Sequence, residues 1–257
     1  NIKKYSSSDE MLLDDDVDTI VLCTPTGLHP VHGLKILKAG KNLWSEKSLF
    51  LNDVQRLEFR EITESKGLEA SEMFMFLYHP QFKLLRSLIE SGELGRIFSM
   101  SARFCIPHLD RTNIRYDPDL GGGSLFDAGC YPIAACHTLF GNDYSAISSN
   151  IIFDQNYEVD TRGNAIITYP NGISAFLEWG FGMTYSNEIR LRCEKGNISI
   201  NRAFSKPSDL ATSIDRIDNF GKITSLEVEP ANHFTIMMNE ECNETGIEWV
   251  CHQSSIV

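Results

Sequence analysis

The chain has 257 residues, 42% of them hydrophobic, and a formal net charge of −12. This composition excludes a disordered chain and predicts one large or two smaller domains with a buried core. The acidic charge disfavours nucleic acid as a partner, and no apolar run approaches the roughly 20 residues that cross a bilayer. We therefore expect a cytoplasmic protein that acts on a small molecule, without nucleic-acid or membrane partners.

The seven cysteines are odd in number and none form a Cys-x-x-Cys pair, which argues against a disulfide framework and against a zinc site. We predict reduced and mostly buried thiols. His29 and His32 are close enough to suggest metal ligands, but Pro30 begins a helix between them and no carboxylate has a matching spacing. The sequence therefore predicts no metal.

The first 80 residues alternate strand-like and helix-like segments. Ser7 and Glu10 have the spacing of a capping box, which predicts a short helix there. Strands are predicted over residues 18–23, 42–45 and 68–78, with a helix from Pro30 to Gly40 and another from Asn52 to Gly67 between them. Strands and helices in alternation predict a parallel sheet. A further helix is predicted from Pro80 to Gly92.

After residue 96 the pattern changes to strands with period-two alternation, beginning with residues 98–104. A helix is predicted over residues 124–139, and strands follow at 147–154, 163–169, 173–181, 187–194 and 197–202. These runs predict a large, mainly antiparallel open sheet with flanking helices. Phe176, Trp179 and Phe181 could form a surface for a homo-oligomer on this sheet or lie in its core.

The sequence therefore predicts an α/β domain at residues 1–80 and a second, α+β domain at residues 81–257. In an open parallel sheet the ligand crevice lies at the carboxyl ends of the strands. Two polar segments, residues 24–29 and 45–48, follow such ends. Lys47, partly desolvated beside a glutamate, could hold a substrate hydroxyl and favour its deprotonation, or it could be a solvated lysine.

A third segment, residues 121–131, runs from three glycines into Asp127 and Tyr131. If a helix begins near Ser124, these two residues stand at i and i+4, so a carboxylate and a phenol would point into one cleft. Such a pair is suited to proton transfer. The alternative for Tyr131 is an aromatic residue of the core.

The order of these motifs resembles the Gfo/Idh/MocA oxidoreductases over nearly the whole chain. The resemblance rests on residues 18–25, 34–41, 46–47, 72–80 and 121–131, together with 139–141, 193–196 and 201–204. It implies a nicotinamide-dependent dehydrogenase, with a Rossmann dinucleotide-binding domain followed by a substrate domain whose open sheet often mediates oligomers. Here residues 1–80 would be a partial Rossmann domain.

The family's Glu-Lys-Pro motif matches Glu46, Lys47 and Ser48, and its Asp-x-Gly-x-His/Tyr motif matches Asp127 and Tyr131. A tyrosine at the last position is similar to the branch of glucose–fructose oxidoreductase and dimeric dihydrodiol dehydrogenase. The resemblance implies hydride transfer from a secondary hydroxyl of a sugar, cyclic polyol or dihydrodiol to NAD or NADP. Tyr131 is then the acid/base, assisted by the cation of Lys47.

The remaining site predictions follow from the same match. Asp127 would bind another substrate hydroxyl or orient Lys47. The residues expected to bind the cofactor are Thr24, Pro25, Thr26, His29, Glu46 and Lys47. His79 is expected to contact substrate, with a capping or packing role at a strand–helix junction as the alternative.

Three departures from the family pattern favour a second hypothesis, a non-catalytic binding or assembly module. No G-x-G-x-x-G loop occurs early in the chain, so either the sequence is a fragment or nucleotide binding is lost. Residues 121–123 are not that loop. Ser48 replaces a proline, which leaves the following loop less fixed, and Leu77 stands where relatives often carry arginine. The choice between NAD and NADP and the identity of the substrate stay open.

Overall fold

The computed structural model describes residues 2–241. A small parallel sheet comes first, built from β1 (Thr19–Leu22), β2 (Asn42–Glu46) and β3 (Ala70–Met73) in that order, with helices α1 (Ser8–Leu12), α2 (His29–Lys38) and α3 (Asp53–Lys66). The parallel registers pair Thr19 with Asn42 and Leu43 with Ala70. This arrangement confirms the predicted alternation of strands and helices.

Local signals place the helix ends of this first part. The Ser7 hydroxyl accepts a hydrogen bond from the Glu10 nitrogen at 3.2 Å, and the Asn52 side chain accepts from Gln55 in the same way. Gly67 ends α3 in the left-handed conformation. The capping box differs in one respect, because the Glu10 carboxylate bonds the nitrogen of Ser6 at 2.8 Å.

The third predicted strand is shorter than expected. After Met73 the chain forms a 3-10 turn, Met75–Tyr78, whose side chains are all buried. Phe74 and Phe76 pack against Tyr131 at ring-centroid distances of 6.0 and 5.9 Å. Residues 74–78 leave the small sheet because their side chains pack into the core of the large sheet. Helix α4 (Pro80–Glu90) follows.

The second sheet has eight strands: β4 (Ile97–Ile106), β5 (Ala146–Phe153), β6 (Asp160–Thr168), β7 (Ser174–Phe181), β8 (Ser186–Cys193), β9 (Gly196–Asn201), β10 (Thr212–Ile217) and β11 (Ile223–Val228). Their order is β11-β10-β9-β8-β4-β7-β6-β5. All neighbours are antiparallel except β4 and β7, which run parallel. The mainly antiparallel sheet is confirmed, while β10 and β11 are strands that the sequence analysis missed.

The strand for which the sequence left open an oligomer surface or the sheet core contributes mostly to the core. Trp179 and Phe181 are fully buried, and Phe176 is half exposed. Trp179 and Phe181 lie on one face of the sheet and Phe176 on the other, because side chains alternate along a strand. On the outer face, the Arg103 guanidinium bonds Glu178 at 2.8 Å and Glu188 at 3.0 Å. A homo-oligomer through this sheet stays a prediction.

Helix α5 (Cys130–Phe140) crosses the inner face of the large sheet and is preceded by one π-helical turn, Leu125–Gly129. A last described helix, α6 (His233–Glu241), packs near the 3-10 turn after Phe74. Within residues 2–241 no helix is long and apolar enough to cross a membrane. Four of the five described cysteines are buried and Cys23 is exposed, all five as free thiols, while Cys242 and Cys251 lie outside the described residues.

Candidate active site

A cleft of about 180 Å³ opens where the carboxyl ends of β1 and β2 meet the connection that precedes the π-helical turn. One wall is made by Thr24, Pro25, Thr26, His29, Glu46 and Lys47. The other is made by Ile114, Arg115, Leu120, Gly121, Gly122 and Asp127. The structure therefore brings together all six residues predicted to bind the cofactor, and it places Asp127 opposite them.

Lys47 lies just after β2 and reaches across the cleft. Its Nζ donates to the backbone oxygen of Asp127 at 2.7 Å and to the carboxylate Oδ1 of the same residue at 2.9 Å. Only 12% of the side chain is exposed. Burial acts to lower the pKa of Lys47, but the electrostatic effects of Cys130, Tyr131 and Asp127, with the hydrogen bond to Asp127, together outweigh it, so this pKa lies above its ordinary value. Lys47 is held as an ammonium.

Arg115 is a site residue that the sequence analysis missed. Its Nε donates to Asp127 Oδ2 at 2.6 Å, so each carboxylate oxygen bonds a different cation. Burial acts to raise the pKa of Asp127, but Lys47 and Arg115 bring it below its ordinary value. Arg115 lies in a short 3-10 turn, Ile114–Tyr116, that has no hydrophobic periodicity. The one available signal was a basic residue shortly before the glycines in a strongly acidic chain.

Asp127 and Tyr131 both lie near Lys47, but their exposure to the cleft differs. The turn at Asp127 is π-helical, so its residues do not have the α-helical spacing on which the i, i+4 prediction rests. Asp127 borders the cleft, whereas Tyr131 is 5% exposed and is not among the cleft-lining residues. Its hydroxyl lies 3.9 Å from the sulfur of Met75, and its ring centroid is 5.2 Å from Lys47 Nζ.

Electrostatics keep the Tyr131 phenol protonated. Burial raises the pKa of Tyr131, and the nearby Lys47 opposes this shift without reversing it. The ring lies in an aromatic cluster, for example 5.0 Å from Phe104 between centroids. Tyr131 is therefore an aromatic residue of the core whose ring also faces the Lys47 cation, and its acid/base role stays a prediction.

The His29 ring lies between two backbone carbonyl groups. Its two ring nitrogens lie 2.9 Å from the Ser48 oxygen and 2.7 Å from the Thr24 oxygen, and the side chain is buried. The ring therefore links the loop after β1 to the loop after β2. Both nitrogens face these backbone oxygens, although a neutral ring donates to only one of them at a time, so His29 shapes the cleft wall.

The loop at Ser48 is held more firmly than the replacement of a proline there predicted. The Lys47–Ser48 peptide bond is cis, and the Ser48 hydroxyl donates to the Phe126 oxygen at 3.0 Å. A hydrogen bond to the π-helical turn thus fixes this loop without a proline. Leu77 is buried in the core cluster of the large sheet, away from the cleft wall.

His79 is not brought together with Lys47 and Asp127. It is fully buried and caps α4, with Nδ1 accepting from the Gln81 nitrogen at 3.1 Å. Burial, with a smaller effect of Lys206, lowers the pKa of His79 to about 3. This position corresponds to the capping alternative, and His79 does not line the cleft.

The three glycines of residues 121–123 bind no phosphate group through their nitrogens, because each N–H is used internally. They donate to the oxygens of Pro118, Asp117 and Arg115 at 3.2, 2.8 and 2.9 Å. Gly121 has a positive φ of 73°, and its backbone is in close contact with Gly27. Over residues 2–241 no group of three or more His, Cys, Asp and Glu residues could hold a metal ion.

The fold and this cleft define a class: a Rossmann-like sheet joined to a large open sheet, with a lysine–carboxylate pair between them. Two family models match the chain. An oxidoreductase family model with an NAD-binding Rossmann fold matches residues 1–71, and the GFO/IDH/MocA C-terminal domain matches residues 82–199. The chain belongs to the Gfo/Idh/MocA oxidoreductase family, which confirms the resemblance found in the sequence motifs.

Individual relatives agree with the family. The chain is 34% identical over 198 residues to dTDP-3,4-didehydro-2,6-dideoxy-alpha-D-glucose 3-reductase of Actinomadura kijaniata, covering 77% of this chain and 60% of that protein. It is 27% identical over 250 residues to trans-1,2-dihydrobenzene-1,2-diol dehydrogenase of Xenopus tropicalis, covering 96% and 71%. This chain thus spans about 60% of the length of the sugar reductase.

The fold matches a solved structure of a 3-ketoreductase from Actinomadura kijaniata in complex with NADP and TDP-benzene. The TM-score is 0.87 at 28% sequence identity, and the match covers 98% of this chain and 78% of that one. The predicted fold class, a Rossmann-type parallel sheet followed by a large open sheet, is therefore confirmed.

Proposed function

We propose that this protein is an NAD(P)-dependent oxidoreductase that interconverts a secondary hydroxyl and a carbonyl group on a sugar, cyclic polyol or dihydrodiol. The observation that carries the proposal is the Lys47–Asp127 pair, with Nζ to Oδ1 at 2.9 Å, in the cleft at the carboxyl ends of β1 and β2. Family membership supplies the reaction class, and the relatives' activities on keto-sugars and diols support the substrate class.

The cleft residues fit a nicotinamide coenzyme. The hydroxyl of Thr24 is buried beside the cleft and has no hydrogen-bond partner within residues 2–241. A buried polar atom of this kind calls for a partner, which a coenzyme amide or hydroxyl group would provide. We propose that Thr24, Pro25, Thr26 and Glu46 hold this part of the coenzyme. When bound, the coenzyme supplies or accepts the hydride.

Lys47 is proposed to bind the reacting oxygen of the substrate. An ammonium has three N–H groups, and two of those of Lys47 are bonded to Asp127. The third is left for an oxygen in the cleft. A fixed positive charge beside that oxygen stabilises the negative charge that develops on it, and this effect is strongest in a site that excludes water.

Tyr131 is proposed to exchange the proton. Because burial keeps its phenol protonated, Tyr131 is better prepared to donate a proton during reduction than to accept one during oxidation. In the oxidative direction, the Lys47 cation 5.2 Å from its ring favours the deprotonated form. The hydroxyl would have to move away from Met75 to reach a substrate oxygen.

The experiment follows nicotinamide absorbance with the full-length protein on keto-sugars, aldoses, inositols and cyclic diols, with each coenzyme. We expect turnover with at least one substrate and a loss of at least about 100-fold in kcat for Lys47→Met. Lys41→Met is the matched control, since Lys41 is also buried, lies at the other end of β2 and bonds the Asp14 oxygen at 2.9 Å. Equal losses in both variants would contradict the role of Lys47.

Two of the three departures that favoured a non-catalytic module have a structural explanation. Ser48 fixes its loop by a hydrogen bond, and Leu77 is a core residue, so neither departure points to a lost function. Calorimetric titration of the full-length protein with NAD(H) and NADP(H) separates the two hypotheses. Absence of binding at millimolar coenzyme would favour the module.

A further inference from the structure

Asp127 holds two cations side by side on the cleft wall. Lys47 Nζ bonds Oδ1 at 2.9 Å and Arg115 Nε bonds Oδ2 at 2.6 Å. Each carboxylate oxygen therefore already accepts a hydrogen bond from one cation, and both cations carry further N–H groups that can donate to a substrate.

Arg115 is fixed by its own surroundings as well as by Asp127. Asn113 Oδ1 accepts from the Arg115 backbone nitrogen at 3.1 Å and from Nη1 at 3.4 Å. The Arg115 oxygen accepts from the Gly123 nitrogen at 2.9 Å. A guanidinium has five N–H groups, so several of those on Nη1 and Nη2 have no partner among the described residues. The side chain is 40% exposed and borders the cleft.

Lys47 and Arg115 are placed to bind one substrate together. They bond the two oxygens of one carboxylate, so the two cations lie side by side, and each has N–H groups left to donate to one of two adjacent substrate oxygens. We propose, on the basis of the proposed function, that Lys47 binds the reacting oxygen while Arg115 binds the oxygen on the neighbouring carbon. Arg115 then determines specificity for vicinal diols and α-hydroxy ketones.

The test compares substrates that differ by this one oxygen. The full-length protein is assayed with its coenzyme on cyclohexane-1,2-diol against cyclohexanol, and on D-glucose against 2-deoxy-D-glucose. We expect wild-type kcat/KM to favour the compound with the adjacent hydroxyl by about 10- to 100-fold, the range for one hydrogen bond to a charged group. In Arg115→Gln the ratio falls to near one, through loss of activity on the diol alone.

Arg111→Gln is the matched control. Arg111 lies in the same connection, with its guanidinium 5.4 Å from the Tyr157 ring centroid, and it is not part of the cleft wall. We expect it to keep the wild-type ratio. If Arg115→Gln lowers both members of each pair equally, the role of Arg115 is structural and the proposal is wrong.

Failure of the proposed function gives a different result. If the wild-type protein turns over no compound with either coenzyme, that function fails, and saturation-transfer NMR with cyclohexane-1,2-diol then tests Arg115 alone. We expect weaker binding by Arg115→Gln than by Arg111→Gln, by about tenfold. Equal binding by these two variants would overturn the specificity role.

Discussion

The backbones of Gly27 and Gly121 touch across the cleft. A Cβ atom on Gly121 would lie 2.4 Å from the Gly27 nitrogen, and one on Gly27 would lie 2.7 Å from the Gly121 nitrogen. No other residue type fits either position without displacing backbone. The contact joins the loop after β1 to the connection that carries Arg115, so the two walls of the cleft are set at a fixed separation.

We expect Gly121→Ala to open this contact and to reduce turnover at least tenfold. Gly92→Ala is the control, because Gly92 has a similar φ of 70° against 73° but nothing within 4 Å of its added Cβ. Both variants carry the strain of a left-handed alanine, about 1 kcal/mol. Activity and thermal unfolding of the two therefore isolate the backbone contact. Equal activities would show that the contact does not matter for the reaction.

Asp127→Asn should destabilise the protein by about 3 kcal/mol, because it leaves two cations without their common carboxylate. The pH dependence follows from the lowered pKa of Asp127. A carboxyl with a lowered pKa in the folded state stabilises above its unfolded pKa, and this contribution is lost as the pH falls. The difference in free energy of unfolding from wild type should thus be constant from about pH 5 to 9 and shrink below about pH 4.

Urea unfolding of both proteins across this range measures that difference. A difference that also shrinks towards pH 9 would contradict the assignment, since the raised pKa of Lys47 keeps the ammonium charged there.

Tyr131→Phe should lower turnover by at least about 100-fold with little change in stability. The phenol makes only a weak contact with the Met75 sulfur at 3.9 Å, so its removal costs less than about 1 kcal/mol. Tyr169→Phe is the opposite case. Its buried hydroxyl bonds the Cys136 sulfur at 3.2 Å and the Gly141 oxygen at 3.3 Å, so we expect lower stability and normal turnover. Full turnover in Tyr131→Phe would remove Tyr131 from the mechanism.

His29→Ala should weaken coenzyme binding about tenfold, although the ring itself is not expected to bond the coenzyme. The change removes the link between the Thr24 and Ser48 oxygens and leaves a cavity, at a cost of about 2–4 kcal/mol. Fluorescence titration with NADH and NADPH measures the Kd. His32→Ala, one turn along the same helix at a partly exposed position, should bind as wild type does.

Much of the architecture was predictable because it depends on local pattern. Strand β1 was expected over 18–23 and occupies Thr19–Leu22, since a short apolar run between polar residues has few alternatives. Strand β11 was missed because it is mostly exposed and lacks the expected alternation, and β10 because its alternation is limited to its first residues. The parallel pairing of β4 with β7 could not be predicted either, since strand spacing does not determine which strands become neighbours.

The site was only partly predictable, for a related reason. The position of Lys47 at a strand end indicated the cleft, because topology brings strand ends together. The π-helical turn at Asp127 was not predicted, because no local rule distinguishes it from an α-helix at Leu125–Gly129. Arg115 was missed because its role depends on the folding back of the connection through its bonds to Asn113 and Gly123.

The 3-10 turn after β3 bears on how the molecule unfolds. The segment that joins the small sheet to the large one is itself packed in the core, because Phe74 and Phe76 contact Tyr131. The two halves share one set of aromatic contacts directly behind the Lys47 side chain. We therefore expect a single cooperative melting transition. Separating the two halves, and with them the residues from each that form the cleft, would require disrupting the protein's largest core.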